Sequence, residues 1–198
     1  MARDAAATQQ RIIDAAADEF AAHGIAGARV DEIAKRAGVN KRMLYYYFES
    51  KEGLFREILL RRLAARMAFA AESADLPRGE RVAQRQLDQA GDIDYVRLLM
   101  WEALEDGERE AVSGESGRRE TYRDWVEATR QAQADGELPA DLDARHLVLS
   151  ELALTLMPLA FPQLTRLVFG DDADAPDFIS DRQDFLRALY RLLDPRET

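Results

Sequence analysis

Apolar residues recur at helical spacing along almost the whole chain, and alternating strand-like runs are missing. The first stripe is Ile12, Ala16 and Phe20, with Ile13 and Ala17 beside it; it predicts a helix from Thr8 to His23 that stops at Gly24. Val30, Ile33, Ala34 and Ala37 predict a short second helix ended by Gly38. Asn40 caps a third, in which Leu44 and Phe48 point inward. Ser50 opens a fourth, from Lys51 to about Ser73, with Leu54, Phe55, Ile58, Leu59 and Leu63 on its apolar face.

After a break at Pro77 and Gly79, a weak helix carries Val82, Ala83 and Leu87 up to Gly91. Asp92 caps the next, which runs to about Asp106 and is apolar on most sides, so it is expected in the middle of the C-terminal half. The polar segment Gly107–Gly117 reads as a loop, and Glu120–Asp135 as a helix turning Tyr122, Trp125, Val126 and Thr129 inward. The most apolar stretch, about 141–161, must be covered on all sides, which suggests a subunit interface; Pro158 and Pro162 should kink or end it. The last helix, Phe178–Leu193, is expected to pair with it and with their copies in a four-helix dimer core. The pattern gives an all-α chain of about nine helices.

Composition narrows the class. The chain has 198 residues, no cysteine and two histidines, His23 and His146, so a disulfide framework, a thiolate metal site and a histidine-rich centre are excluded. No apolar run follows the first basic residue as a signal peptide requires, and Leu152–Phe161 is too short to span a bilayer, so the cytoplasm is the expected location. Net charge is −10, distributed unevenly. Residues 1–66 hold twelve Lys and Arg against nine Asp and Glu, whereas 67–198 hold fifteen against twenty-eight. The front can approach phosphate while the back repels it.

The second and third helices, joined by a short turn containing Gly38, form the helix-turn-helix pattern. A recognition helix enters the major groove by its N-terminal end, where Lys41 and Arg42 stand ready to donate to guanine edges or phosphate. A plain core helix with a surface charge pair is the alternative. Against it, Tyr45, Tyr46 and Tyr47 are about 100° apart on a helix and cannot all face one core.

The stretch Gly24–Leu54 resembles the DNA-binding domain of the TetR family of transcriptional regulators. The matching elements are the I-A-x-x-A-G-V run from Ile33, the L-Y-Y-x-F run from Leu44 and the S-K-E-x-L run from Ser50; the resemblance covers about residues 8–60. It implies an all-helical homodimer with one helix-turn-helix per subunit on a palindromic operator, and a C-terminal domain that binds a small inducer and releases DNA. Three departures from the family pattern occur, at four positions. Ala28 and Arg29 replace the usual hydroxyl residues, so Arg29 stands in as a phosphate contact by charge; Asn40 replaces a Ser or Thr cap; and Tyr47 replaces a common His. The DNA-contacting set is therefore Arg29, Asn40, Lys41, Arg42, Tyr45, Tyr46, Tyr47 and Lys51. Within it Lys41, Arg42 and Tyr46 face bases, and Arg29, Tyr45, Tyr47 and Lys51 hold phosphate.

The expected domains are 1–50 for DNA binding, 51–73 as a linking helix and 74–198 for ligand binding and dimerisation through about 141–161 and 178–193. No catalytic constellation, P-loop or cofactor motif is present, and Asp171–Asp174 lacks the further ligands of a calcium loop. No enzyme activity, cofactor or metal is expected. Tyr95, Met100, Trp101, Tyr122, Trp125 and Met157 are candidates to line an inducer pocket. The competing reading is a helical small-molecule-binding protein that has lost specific DNA recognition.

Overall fold

The computed structural model describes residues 2–73, 75–105 and 114–196, and every described element is a helix. In chain order these are α1 (Ala2–Gly27), α2 (Val30–Ala37), α3 (Lys41–Phe48), α4 (Lys51–Glu72), α5 (Arg78–Ala90), α6 (Ile93–Glu105), α7 (Glu115–Ala134), α8 (Ala144–Ala160), α9 (Pro162–Phe169) and α10 (Pro176–Leu192). The chain forms two compact units. The first is the chain to Ala65 together with Asp94 onward in α6 and Gly114. The second is 66–93 and the chain from Glu115.

In the first unit Ile12, Phe20, Ile33, Leu44, Leu54 and Phe55 are fully buried, and Phe20 meets Phe55 edge to face at 5.4 Å. The predicted stop at Gly24 is a sharp break inside α1. Its φ of 67° and ψ of −179° suit only glycine, and a further turn to Gly27 follows it. The α3–α4 joint is equally tight. Glu49 takes φ 62° and ψ −49°, the Ser50 N–H donates to the Phe48 carbonyl at 2.6 Å, and a Cβ on Gly53 would overlap that same carbonyl oxygen. This joint fixes the direction of α3.

The position of α6 differs from expectation, because it clusters with the first unit. Its Trp101 indole N–H donates to the Ala21 carbonyl at 3.2 Å, and the ring lies where a Gly24 Cβ would point. An apolar helix needs cover, but its pattern does not say which neighbour supplies it.

In the second unit α5 packs mainly on α10 and α8, and α7 packs on α8. Val82, Ala83, Ala132, Leu138, Leu186 and Tyr190 form its apolar centre. A buried polar cluster lies beside them. Glu151, only 2% exposed, accepts from Arg78 Nη2 at 2.9 Å, from Arg85 and from the Tyr190 hydroxyl at 3.2 Å, while Arg78 also donates to Thr129. Burial and the Glu151 charge push the Tyr190 phenol above its usual range, so it stays a neutral donor.

Four boundaries depart from the sequence reading. α1 starts at Ala2. α7 starts at Glu115, within the segment expected to be a loop; 107–113 lie outside the described residues. Tyr122, Trp125 and Val126 are half-buried, and only Thr129 of that set is fully inside. Pro158 does not end α8, which runs through it to Ala160. Proline at 158 has no N–H for the Leu154 carbonyl four residues earlier, and Arg182 of α10 donates to that carbonyl at 2.9 Å instead. Pro162 then starts α9, an unforeseen helix bent 85° from α8. No single described helix is long and apolar enough to cross a membrane.

Candidate nucleic-acid interface

The sequence of α2, turn and α3 dictates a rigid pair of short helices. Gly38 adopts the left-handed conformation and closes α2, its N–H returning to the Lys35 carbonyl. Asn40 caps α3 by accepting the Met43 N–H at 2.9 Å. Leu44 and Phe48 anchor α3 in the core, which turns the rest of the helix outward. Tyr46 is 80% exposed and Tyr45 40%, while Tyr47 is half-buried with its ring 5.2 Å from that of Tyr46. Lys41, Arg42 and Met43 are exposed along the first turn.

The charged groups around this turn are in different states. Arg42 and Arg29 are exposed, with no partner among the described residues. Lys41 is paired to Asp31 of α2 at 3.2 Å, both side chains being open to solvent. The Lys51 ammonium donates to the carbonyls of Ala26 and Ala28, at 3.2 and 3.4 Å, and so braces the segment leading to Arg29; its third N–H remains for an anion. Arg29 is the N-cap residue of α2 and gives it no side-chain bond, as the loss of a hydroxyl predicts. Its own N–H is held at 3.1 Å by Glu19, a buried carboxylate.

Sequence reasoning missed Glu19, Asp31 and Lys35. Glu19 and Asp31 act across helix pairs, so their partners depend on interhelical angles and leave no periodic signal. Lys35 is exposed on α2 and its side chain makes no bond among the described residues; its charge alone was the available clue.

The six pocket candidates are spread over both units. Tyr95, Met100 and Trp101 belong to α6 in the first. In the second, Tyr122 and Trp125 stack at 6.5 Å with the Arg85 guanidinium 4.1 Å over the Trp125 ring, while Met157 is exposed on α8. No group of three or more acidic or histidine side chains suited to a metal occurs among the described residues.

A helix-turn-helix with an exposed basic N-terminal turn, followed by a larger helical unit, defines a DNA-binding regulator. Comparison with known proteins gives its family. Residues 12–58 match the model for bacterial regulatory proteins of the tetR family, and 80–187 match the tetracyclin repressor-like C-terminal domain. The HTH-type transcriptional repressor SCO4008 of Streptomyces coelicolor is 34% identical over 195 residues, covering 98% of each chain. The HTH-type transcriptional regulator RutR of Escherichia coli is 36% identical over 107 residues, 52% of this chain and 50% of its own. Among solved structures, the putative transcriptional regulator SCO4942 of Streptomyces coelicolor superposes with a TM-score of 0.75 at 29% identity, covering 96% of this chain and 99% of that one. The chain belongs to the TetR family and is a helix-turn-helix transcriptional regulator.

Proposed function

We propose that the chain is a ligand-responsive repressor that binds a palindromic operator as a homodimer and leaves it when a small inducer occupies the C-terminal domain. The observation that carries the DNA reading is the exposed first turn of α3, where Arg42 is free and Tyr45 and Tyr46 project beside it. Arg42, Lys41 and Tyr46 read base edges. Arg29, Tyr45, Tyr47 and Lys51 hold phosphate, and Asn40 fixes the start of the helix. Repression is supported by the function named for SCO4008, the full-length relative at 34% identity.

The domain assignment is 1–50 for DNA binding, 51–73 as the linking helix and 74–198 for ligand and partner, acting in the cytoplasm where the operator is. Dimerisation through α8 and α10 is supported by apolar side chains that the single chain leaves open: Leu149, Met157 and Phe161 at one helix, Phe185 and Leu192 on the other. The aromatic pair Tyr122 and Trp125 supports a ligand site in the second unit.

Gel-shift titration against the protein's own upstream region tests this reading. The expected result is a complex that weakens steeply with salt and binds as a dimer. Failure of every genomic fragment to give a salt-sensitive complex would leave the small-molecule-binding alternative standing in its place.

A further inference from the structure

The four cations proposed to meet DNA are in unequal electrostatic states. The Arg29 and Arg42 guanidiniums have no partner among the described residues, and the Lys51 ammonium rests on neutral carbonyls. Lys41 is different. Its ammonium sits astride both carboxylate oxygens of Asp31, 3.2 Å from Oδ1 and 3.3 Å from Oδ2. The pair joins the first turn of α2 to the first residue of α3, at the end by which a recognition helix enters the groove. Both side chains are open to solvent, so the pair adds little to folding. Nor does α2 need this acid for its dipole, since Glu32 beside it already stands in the first turn. For binding DNA as such the carboxylate is a handicap, because it cancels the charge that Lys41 would offer a phosphate.

We propose that Asp31 is a specificity-determining residue, which withholds Lys41 from phosphate and presents it as a nearly neutral hydrogen-bond donor to a base edge such as that of guanine. This rests on the reading of α3 as a recognition helix and assigns a role to a residue outside it. An ammonium has three N–H groups, so those not turned to Asp31 remain for DNA. A free lysine would reach the nearest phosphate of any sequence, which strengthens all binding alike and lowers discrimination. Held at Asp31, the four-carbon side chain loses most of that swing, and its remaining donors face the groove where base acceptors lie. Arg42, next along and unpaired, brings a full charge to the same turn, whereas Lys41 with Asp31 brings almost none.

Anisotropy titrations of the full chain across a series of salt concentrations test the proposal. The probes are the duplex most strongly retained from sheared genomic DNA and a scrambled duplex of the same length. On the scrambled duplex Asp31→Asn should steepen the slope of log K against log salt by about 0.9 per subunit bound, which is about fivefold tighter binding per subunit at about 0.15 M salt. The selected duplex should gain less, because its base contact is given up, so the preference falls about fivefold or more. Asp31→Asn combined with Lys41→Met removes the pair without changing net charge; the slope should return to the native value while the preference stays lost. Asp14→Asn, exposed on α1, should change neither quantity. Asp31→Ala repeats the measurement if the asparagine lowers Tm. An unchanged slope or a retained preference in Asp31→Asn overturns the inference. So does a double variant with a slope shallower than native, since Lys41 would then be a phosphate contact, or an equal effect from Asp14→Asn. A native chain that binds both duplexes alike sinks the repressor reading itself. A native chain that prefers the selected duplex no more than Asp31→Asn does sinks only the role of Asp31.

Discussion

The Arg182 bond to the Leu154 carbonyl exists because Pro158 cannot make it, so the two residues should be energetically coupled. Arg182 is half-buried, and burial pulls its pKa down with no carboxylate among the causes. It carries a desolvation cost that one charge-assisted hydrogen bond, at 2.9 Å, and the Phe185 ring 5.0 Å away must offset. Arg182→Met removes the donor and leaves the Leu154 carbonyl unmet. A buried orphan acceptor costs about 1–3 kcal/mol, and relief of the desolvated cation returns part of that, so a net loss of about 1–2 kcal/mol is expected.

Pro158→Ala gives residue 158 an N–H aimed at the same carbonyl along the helix. It removes a proline penalty of up to about 3 kcal/mol and gives back some buried apolar surface, so the single change should be neutral or mildly stabilising. In that background Arg182→Met should cost at most about 0.5 kcal/mol, an interaction of about 1 kcal/mol across the cycle. Urea unfolding of all four proteins at one fixed concentration measures it, because the midpoint of a chain that pairs as proposed shifts with concentration. Additive losses would show that Arg182 acts through Phe185 or solvent and that α8 tolerates Pro158 for another reason.

Gly24→Ala should destabilise by about 2 kcal/mol or more, since the positive φ is strained for alanine and the new Cβ would lie 2.6–3.0 Å from the Trp101 ring. Gly53→Ala should cost about 1–3 kcal/mol by forcing α4 off the Phe48 carbonyl, whereas Gly117→Ala, in open space on α7, should gain about 0.5–1 kcal/mol; thermal melts rank the three. In DNA titrations Arg42→Ala should relax base preference, with a loss of about 1–3 kcal/mol on the preferred site only. Lys51→Ala should weaken all sequences alike and lower stability by about 1 kcal/mol through the Ala26 and Ala28 carbonyls. The hydrogen bond from Arg187, aided by its charge, holds the Glu80 carboxyl below its ordinary 4.5. A depressed folded pKa stabilises above the unfolded value and is lost as pH falls through the folded one. The urea-midpoint gap between native and Glu80→Gln should therefore be full at pH 7 and close as the pH falls below 4.5 and through the lowered folded value.

The helix-turn-helix and the helices flanking it were legible residue by residue because their signals are local. A glycine needing positive φ at 24 and 38, an asparagine before three helical residues, and the Leu44–Phe48 spacing each fix a piece of backbone without reference to distant chain. The second unit is governed by pairings between helices far apart in sequence. Proline at 158 reads as a break until Arg182, twenty-four residues on, is seen to supply its missing bond. Nor did α6 announce its neighbour, because Trp101 looks like a pocket aromatic until Gly24 is seen beneath its ring. The exposed residues proposed to face DNA were readable from helical spacing. Their bracing by Glu19, Asp31 and the Lys51 ammonium was not, since those bonds depend on crossing angles.

The two units also differ in how they treat buried polarity, and that difference suits a division of labour. Among the described residues of the first, the one buried charged side chain, Glu19, ends on the Arg29 amide and stiffens the approach to α2. The second buries Gln86, Gln89, Thr129, Glu151 and Thr155, with some of their atoms unmet. A reading head gains from rigidity, because base contacts tolerate little misplacement. A ligand-responsive unit must instead keep a second arrangement within a few kcal/mol, and a core that is close-packed and fully satisfied offers none so near. The unmet amide of Gln86 and the unmet carbonyl of Gln89 on α5 cost stability in the unit that carries them.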